Sequence, residues 1–284
     1  MLKRRNEEVM TEFEVWTEKR PYLKDVSKFY EKIAEVVSSQ NNDFKGSFSD
    51  ENWQDLLKNK TYLINHIKND VINNASKIFE AIVNSLKDSD ELPSEITAAC
   101  KEIDKLANKD ENFYATFIKD VLNATDEKET SLDDTVFNTA YLLCWQSIAY
   151  LIKPSIKDIA EKADEKGYVE SHCPMCGKEP SIAVLKRGTK GRRRRLVCGH
   201  CRTEWFYKRI GCPYCGNEDQ NSLRILQSEN EPNIRADVCN KCKSYILTNL
   251  AESDVSKQEW AWLHMDILCS KESLSKKGSL LVAK

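Results

Sequence analysis

HCPMCGKEPSIAVLKRGTKGRRRRLVCGHCRTEWFYKRIGCPYCGNEDQNSLRILQSENEPNIRADVCNKCKSYIL, residues 172–247, is the stretch that decides the fold. It carries four Cys-x-x-Cys pairs: Cys173/Cys176, Cys198/Cys201, Cys212/Cys215 and Cys239/Cys242. Two such pairs make one tetrahedral four-cysteine site, so two metal sites are predicted. The turn aims two sulfurs at one point about 2.3 Å away. In CPMCG (173–177) and CPYCG (212–216) the proline fixes φ and the glycine lets amides approach the sulfurs. Cys239-Asn240-Lys241-Cys242 lacks glycine, and Asn240 is the residue there that tolerates a left-handed backbone.

The cysteines form an internal repeat. Cys173 and Cys176 lie 39 residues before Cys212 and Cys215, and Cys198 and Cys201 lie 41 before Cys239 and Cys242. Sequential pairing is the economical one. Site one is then Cys173, Cys176, Cys198 and Cys201 (module about 172–209), and site two is Cys212, Cys215, Cys239 and Cys242 (about 210–250). Ser181–Lys186 with Arg193–Val197, and Leu223–Gln227 with Ile234–Val238, read as hairpins closing over the knuckles, the rubredoxin or zinc-ribbon arrangement. A disulfide framework is the alternative. The spacing and the want of a signal-peptide pattern speak against it. Each site calls for one metal ion, Zn2+ or Fe2+/Fe3+, between which tetrahedral thiolate ligation does not choose.

Around this stretch the chain reads as α plus small β. Residues 1–168 read as a helical bundle. Leu23, Val26, Phe29, Ile33 and Val37 follow the helical period, as do Ile72, Phe79, Ile82 and Leu86, and Tyr114, Phe117, Ile118 and Val121. Thr139–Ile152 is apolar nearly all round and should be the buried central helix. Residues 169–250 hold the two tandem metal modules. A helix is expected over 251–272, capped by Ser256 and Glu259, with Trp260, Leu263, His264, Ile267 and Leu268 on one face. Residues 273–284 read as a flexible tail.

The formal net charge is −2. Residues 171–250 carry fifteen Lys and Arg against seven Asp and Glu. Each divalent metal held by four thiolates adds about −2, which roughly halves that positive excess. No apolar run reaches the ~20 residues of a membrane span. Basic Met1–Arg5 runs into Glu7 and Glu8 with no apolar region behind it, so a cytoplasmic protein is expected. Arg192, Arg193, Arg194 and Arg195 at the first hairpin could dock an acidic partner or could be a solvated loop. Glu204-Trp205-Phe206-Tyr207 could stack bases, though packing between the ribbons is the simpler role. His172 and His200 adjoin ligands already complete in number, and His66 and His264 read as helix residues. Cys100, Cys144 and Cys269 read as small buried hydrophobes. No nucleophile–base pair, P-loop or dinucleotide fingerprint is found, so a protein without catalytic residues is expected.

The helical half followed by CPMCGKEPSIAVL, LVCGHCRTEWFYKRIGCPYCGN and ADVCNKCKSYI resembles the FdhE family of formate dehydrogenase accessory proteins. The resemblance is most specific over 172–247, with all four pairs, Thr203-Glu204-Trp205 and Tyr245. It implies two rubredoxin-like centres ligated by the eight cysteines. It further implies a cytoplasmic assembly factor, not an enzyme, that binds the formate dehydrogenase catalytic subunit; homo-oligomerisation is left open. Two departures are Asn240, where the family often has glycine, and the unusually basic Arg192–Arg195. The competing readings are a zinc-ribbon nucleic-acid-binding protein, against which the overall acidity counts, and a rubredoxin-like electron-transfer protein.

Overall fold

Short polar turns and prolines punctuate the first half as the periodicity implies. The computed structural model describes residues 4–5, 8–9, 17–18, 20–123, 132–188, 191–229, 231–250 and 262–280. Arg4–Arg5 (β1) and Glu8–Val9 (β2) form a two-residue pair. The helices described in full in the first half are α1 (Lys24–Ser38), α2 (Asp50–Asn59), α3 (Lys68–Leu86), α4 (Ser94–Lys109), α5 (Phe113–Asn123), α6 (Asp134–Ile152) and α7 (Ile156–Glu165). Pro21 opens a 3-10 turn before α1, Pro93 caps α4, and Pro154 sits in the 3-10 turn between α6 and α7. The pyrrolidine ring suits a helix start and breaks an interior. Ser49 and Asn52 close a reciprocal capping box at α2, and Asp133 accepts from Thr135 N–H at α6. Gly167, at φ +67°, ends α7, where Tyr168 N–H reaches back to Ala163.

The apolar α6 is the central helix, with Ala140, Leu143, Cys144, Trp145, Ile148 and Ile152 all buried. It packs against α3, α4 and α5. Cys100 and Cys144 fill this core as expected, and burial pushes the Cys100 thiol up to about 12.

The second half is one sheet, not two separate ribbons. Module one supplies β3 (Pro180–Gly188), β4 (Gly191–Cys198) and β5 (Glu204–Tyr207); module two supplies β6 (Leu223–Gln227), β7 (Ile234–Cys239) and β8 (Ser244–Asn249). The strand order is β5-β4-β3-β8-β7-β6. Within each module the ladders are antiparallel, and the modules join where β3 runs parallel to β8, Ile182 opposite Leu247. The hairpins fall where the sequence predicts them. The third strand of each module, and the parallel seam, were not foreseen. The buried residues of helices and sheet form a single apolar cluster.

Two expectations at the C-terminal end are corrected. The described helix is α8, Leu263–Lys271, and the proposed cap at Ser256 and Glu259, with Trp260, lies outside the described residues. Its buried face is Trp262, Met265, Asp266 and Cys269, while Ile267 and Leu268 are exposed. An acidic residue turned inward is what defeated the pattern. Asp266 accepts from Tyr245 Oη (2.8 Å) and from the Lys276 ammonium (2.7 Å), whose side chain is 1 % exposed. Nor is 273–280 a free tail. Ser275–Lys276 (β9) pairs with β8, and a Cβ built on Gly199 would lie 1.7 Å from Gly278 O, so the segment passes directly over the second knuckle.

Removing one partner of a buried pair leaves the other charge without its counterpart, which costs about 3–5 kcal/mol. Asp266→Ala is therefore expected to lower stability by about that much in urea unfolding, and adding Lys276→Met should recover most of the loss. Asp266→Ala that unfolds at the wild-type midpoint would show that the Lys276 contact holds nothing.

Candidate metal centres

The two CPxCG turns are closed in the same way. Gly177 N–H donates to Cys173 O (2.9 Å) and Gly216 N–H to Cys212 O (3.0 Å). Cys173 N–H and Cys212 N–H donate to Lys178 O and Asn217 O. The returning knuckles sit at the ends of β4 and β7, so the hairpin carries Cys198 and Cys239 back to the first pair. Arg202 and Lys243, each one residue past its last cysteine, take the left-handed backbone at φ +66° and +55°. This corrects the role given to Asn240. The turn is made at Lys243, and Asn240 instead accepts from Arg224 Nε (3.2 Å).

The pairing is sequential. Cys173, Cys176, Cys198 and Cys201 form one group and Cys212, Cys215, Cys239 and Cys242 the other, the sulfurs of each within 4.8 Å of one another. The Sγ–Sγ separations are 3.5 Å for Cys173/Cys201 and Cys176/Cys198, 3.6 Å for Cys212/Cys242 and 3.7 Å for Cys215/Cys239. A disulfide would bring sulfurs to about 2.05 Å. A tetrahedron with ligands about 2.3 Å from its centre has edges of roughly 3.8 Å. Both quartets therefore have the dimensions of a four-thiolate cage that could hold one metal ion.

The electrostatics point the same way. Burial, reinforced by the neighbouring thiols, raises Cys173 and Cys176 well above the ordinary thiol value. Burial also acts to raise Cys198, but hydrogen bonds from Cys173, Cys176, Cys201 and His200 outweigh it and hold Cys198 well below. In site two burial pushes Cys212 up to about 12; Cys242, despite its own burial, is drawn down to about 7 by Ser244 and its partner thiols. Cys198 thus ionises more readily than Cys173 and Cys176, and Cys242 more readily than Cys212 and Cys215, and a cation is what would let the raised thiols ionise.

The sites differ in surroundings. Site one lies at the junction with the helices. Leu63 N–H and Ile64 N–H donate to Pro174 O and Met175 O (3.1 and 2.8 Å), and a Cβ on Gly177 would strike the Tyr62 ring. His200 is buried edge-on to Trp145, at 5.0 Å, and shares a hydrogen bond with Tyr141 Oη (3.2 Å). Neither histidine replaces a cysteine. Site two is open, with Cys215 exposed and Cys242 half-buried, and Tyr214 Oη ties its knuckle to Pro180 O (3.0 Å).

The arginine run is divided. Arg192 and Arg193 are exposed; Arg194 and Arg195 are 3 % and 7 % exposed. Arg194 donates to Gly211 O (2.9 Å), and Arg195 pairs with Asp164 of α7 (2.8 Å) and lies 4.2 Å over the Phe206 ring. Strand alternation does not explain the split. What does is an acid within reach of each inner arginine, which their sequence positions do not reveal. The aromatics of β5 are spent on packing. Trp205 Nε1 donates to Glu170 O (2.8 Å), Tyr207 Oη to Cys212 O (3.2 Å), and Phe206 lies beneath Arg193 and Arg195. Stacked bases would find no free ring there.

The fold and the sites define a class: a helical module carrying two four-cysteine ribbons fused in one sheet. A family model described as FdhE, central domain, matches residues 172–209. Protein FdhE of Salmonella typhimurium is 28 % identical over 180 residues, which cover 63 % of this chain and 54 % of that protein. The FdhE homolog of Aquifex aeolicus is 32 % identical over 102 residues, covering 35 % and 36 %. The match thus spans only about a third to a half of these curated relatives. The crystal structure of FdhE from Pseudomonas aeruginosa superposes with a TM-score of 0.63 at 17 % identity, over 95 % of this chain and 92 % of that one, so the fold is shared throughout. The chain is thus similar to FdhE proteins in sequence over part of its length, with a family-model match at residues 172–209, and in fold over nearly all of it. Among the described residues no helix is long and apolar enough to cross a membrane.

Zinc titration of the stripped protein is expected to saturate at two equivalents, and at one for Cys173→Ser. Because Cys215 is exposed, a chelator should empty site two first. Release followed with a chromophoric chelator should be biphasic, and Cys215→Ser should abolish the fast phase while sparing the slow one. A single phase in the wild type would contradict the difference in shielding.

Proposed function

We propose that the protein is a cytoplasmic accessory factor for formate dehydrogenase, acting by binding the enzyme's catalytic subunit and not by catalysis of its own. The observation that carries this reading is the pair of tetrathiol cages built into one sheet and docked on a helical module in the FdhE arrangement. A closed four-thiolate centre has all its coordination positions filled by protein, so zinc there would hold the knuckles in place and activate no water. The metal-bearing sheet then serves as a rigid surface, and recognition falls to the side chains around it. The eight cysteines would be the ligands.

One observation favours a second reading, rubredoxin-like electron transfer. Exposure of Cys215 would give a partner close access to an iron ion in site two. Metal analysis and the visible spectrum of the protein as isolated distinguish the two, since zinc thiolates are colourless and redox-inert.

Affinity-tagged protein is expected to retain the formate dehydrogenase catalytic subunit when purified from its own host. Cys212→Ser, which opens site two, should retain less. Recovery of no such subunit, together with unimpaired formate dehydrogenase activity in cells lacking this protein, would overturn the proposal.

A further inference from the structure

Beside the first hairpin lies a cavity of about 500 Å³ whose lining includes Arg192, Arg193, Arg194, Lys208, Arg209 and Phe206. Among the described residues its one acidic lining residue is Glu170, which pairs with Lys60 (3.0 Å). Lys208 is paired with Glu218. Among the described residues no carboxylate pairs with Arg192, Arg193 or Arg209. Arg194 adds a second and independent observation. Its side chain is 2 % exposed, it lines the cavity, and its Nε has no hydrogen-bond partner. The acid nearest it, Asp237 at 3.6 Å, is also claimed by Arg235 (2.7 Å) and by the Thr248 hydroxyl (2.7 Å). One carboxylate thus faces two guanidiniums, which leaves positive charge uncompensated in a buried place where charge is expensive.

We propose that this cavity is the receptor for an acidic peptide segment of a partner protein, whose carboxylates pair with Arg192 and Arg209 at the rim and approach Arg194 within. Guanidiniums suit this because their fork of donors takes a carboxylate by two parallel hydrogen bonds. Nucleic acid fits less well. The Phe206 face is already covered by Arg193 at 3.4 Å, and the formal net charge of −2, made more negative by each four-thiolate metal centre, repels a long polyanion. Val169 (58 % exposed), part of the cavity lining, and Ile210 (50 %), next to Arg209, give apolar residues of the segment a place to rest. The proposal goes beyond the accessory role and rests on it only in supposing that the partner is a protein.

The test measures fluorescence anisotropy of the full-length protein with three labelled probes: a short peptide of alternating aspartate and leucine, the same peptide with asparagine for aspartate, and an oligothymidylate of equal charge. The acidic peptide should bind, weaken as salt rises, and bind about tenfold more weakly to Arg192→Ala/Arg209→Ala, the loss of two charge-assisted contacts. Both residues are exposed and pair with no carboxylate among the described residues, so that variant should fold; Lys77→Ala/Lys119→Ala on the helices should bind like wild type. Equal binding of the neutral peptide, indifference to the double arginine variant, or tighter binding of the oligothymidylate would overturn the proposal. Capture of the catalytic subunit undiminished by the arginine variant would remove the cavity and leave the accessory role standing. Peptide binding without any subunit capture would do the reverse.

Discussion

A ribbon of about forty residues cannot bury enough apolar surface to stand alone, and chains this small usually rely on metals or disulfides. Each module here is three short strands and two knuckles, and the four sulfurs are where its ends meet. Loaded with metal, each quartet ties the turn before the first strand to the turn between the second and third. Everything else in the sheet depends on those ends being fixed, since β3 and β8 can pair only when each module holds its own register.

The parallel seam between β3 and β8 then joins two small units into one larger core. Parallel pairs need both faces covered, and here they are: every residue of β8 is buried. Charge completes the assembly. Arg195 reaches Asp164 on α7, Lys276 reaches Asp266 on α8, and Arg194 shares Asp237 with Arg235. Such buried pairs contribute little net stability over apolar residues, but they penalise any other docking of helices against sheet. They fix orientation where apolar contacts alone would tolerate sliding.

Internal repetition has not produced two equal sites. Site one is enclosed because it faces α6 and the 3-10 turn Leu63–Ile67; among the described residues no helix lies over Cys215 of site two. The same ligand geometry therefore serves two circumstances, a sealed joint within the molecule and a centre near its surface. Metal bound at the first would hold the two halves together, and metal bound at the second would lie open to what surrounds the molecule.

Legibility in the sequence follows the range of the interactions. The cysteine spacings determined the two cysteine quartets and the hairpins between them, because a knuckle is a local turn and its partner lies one hairpin away. The 3.6-residue stripes determined the helices, and the apolar run at Thr139–Ile152 determined which one is central. Tertiary structure alone decided the β3–β8 seam, since strand pairing across modules leaves no periodic trace. It alone decided the inward turn of Asp266 and the burial of Arg194 and Arg195. A charge goes inside only if a partner far along the chain meets it, and Tyr245, Lys276, Asp164 and Asp237 do so here from positions that a local pattern cannot see.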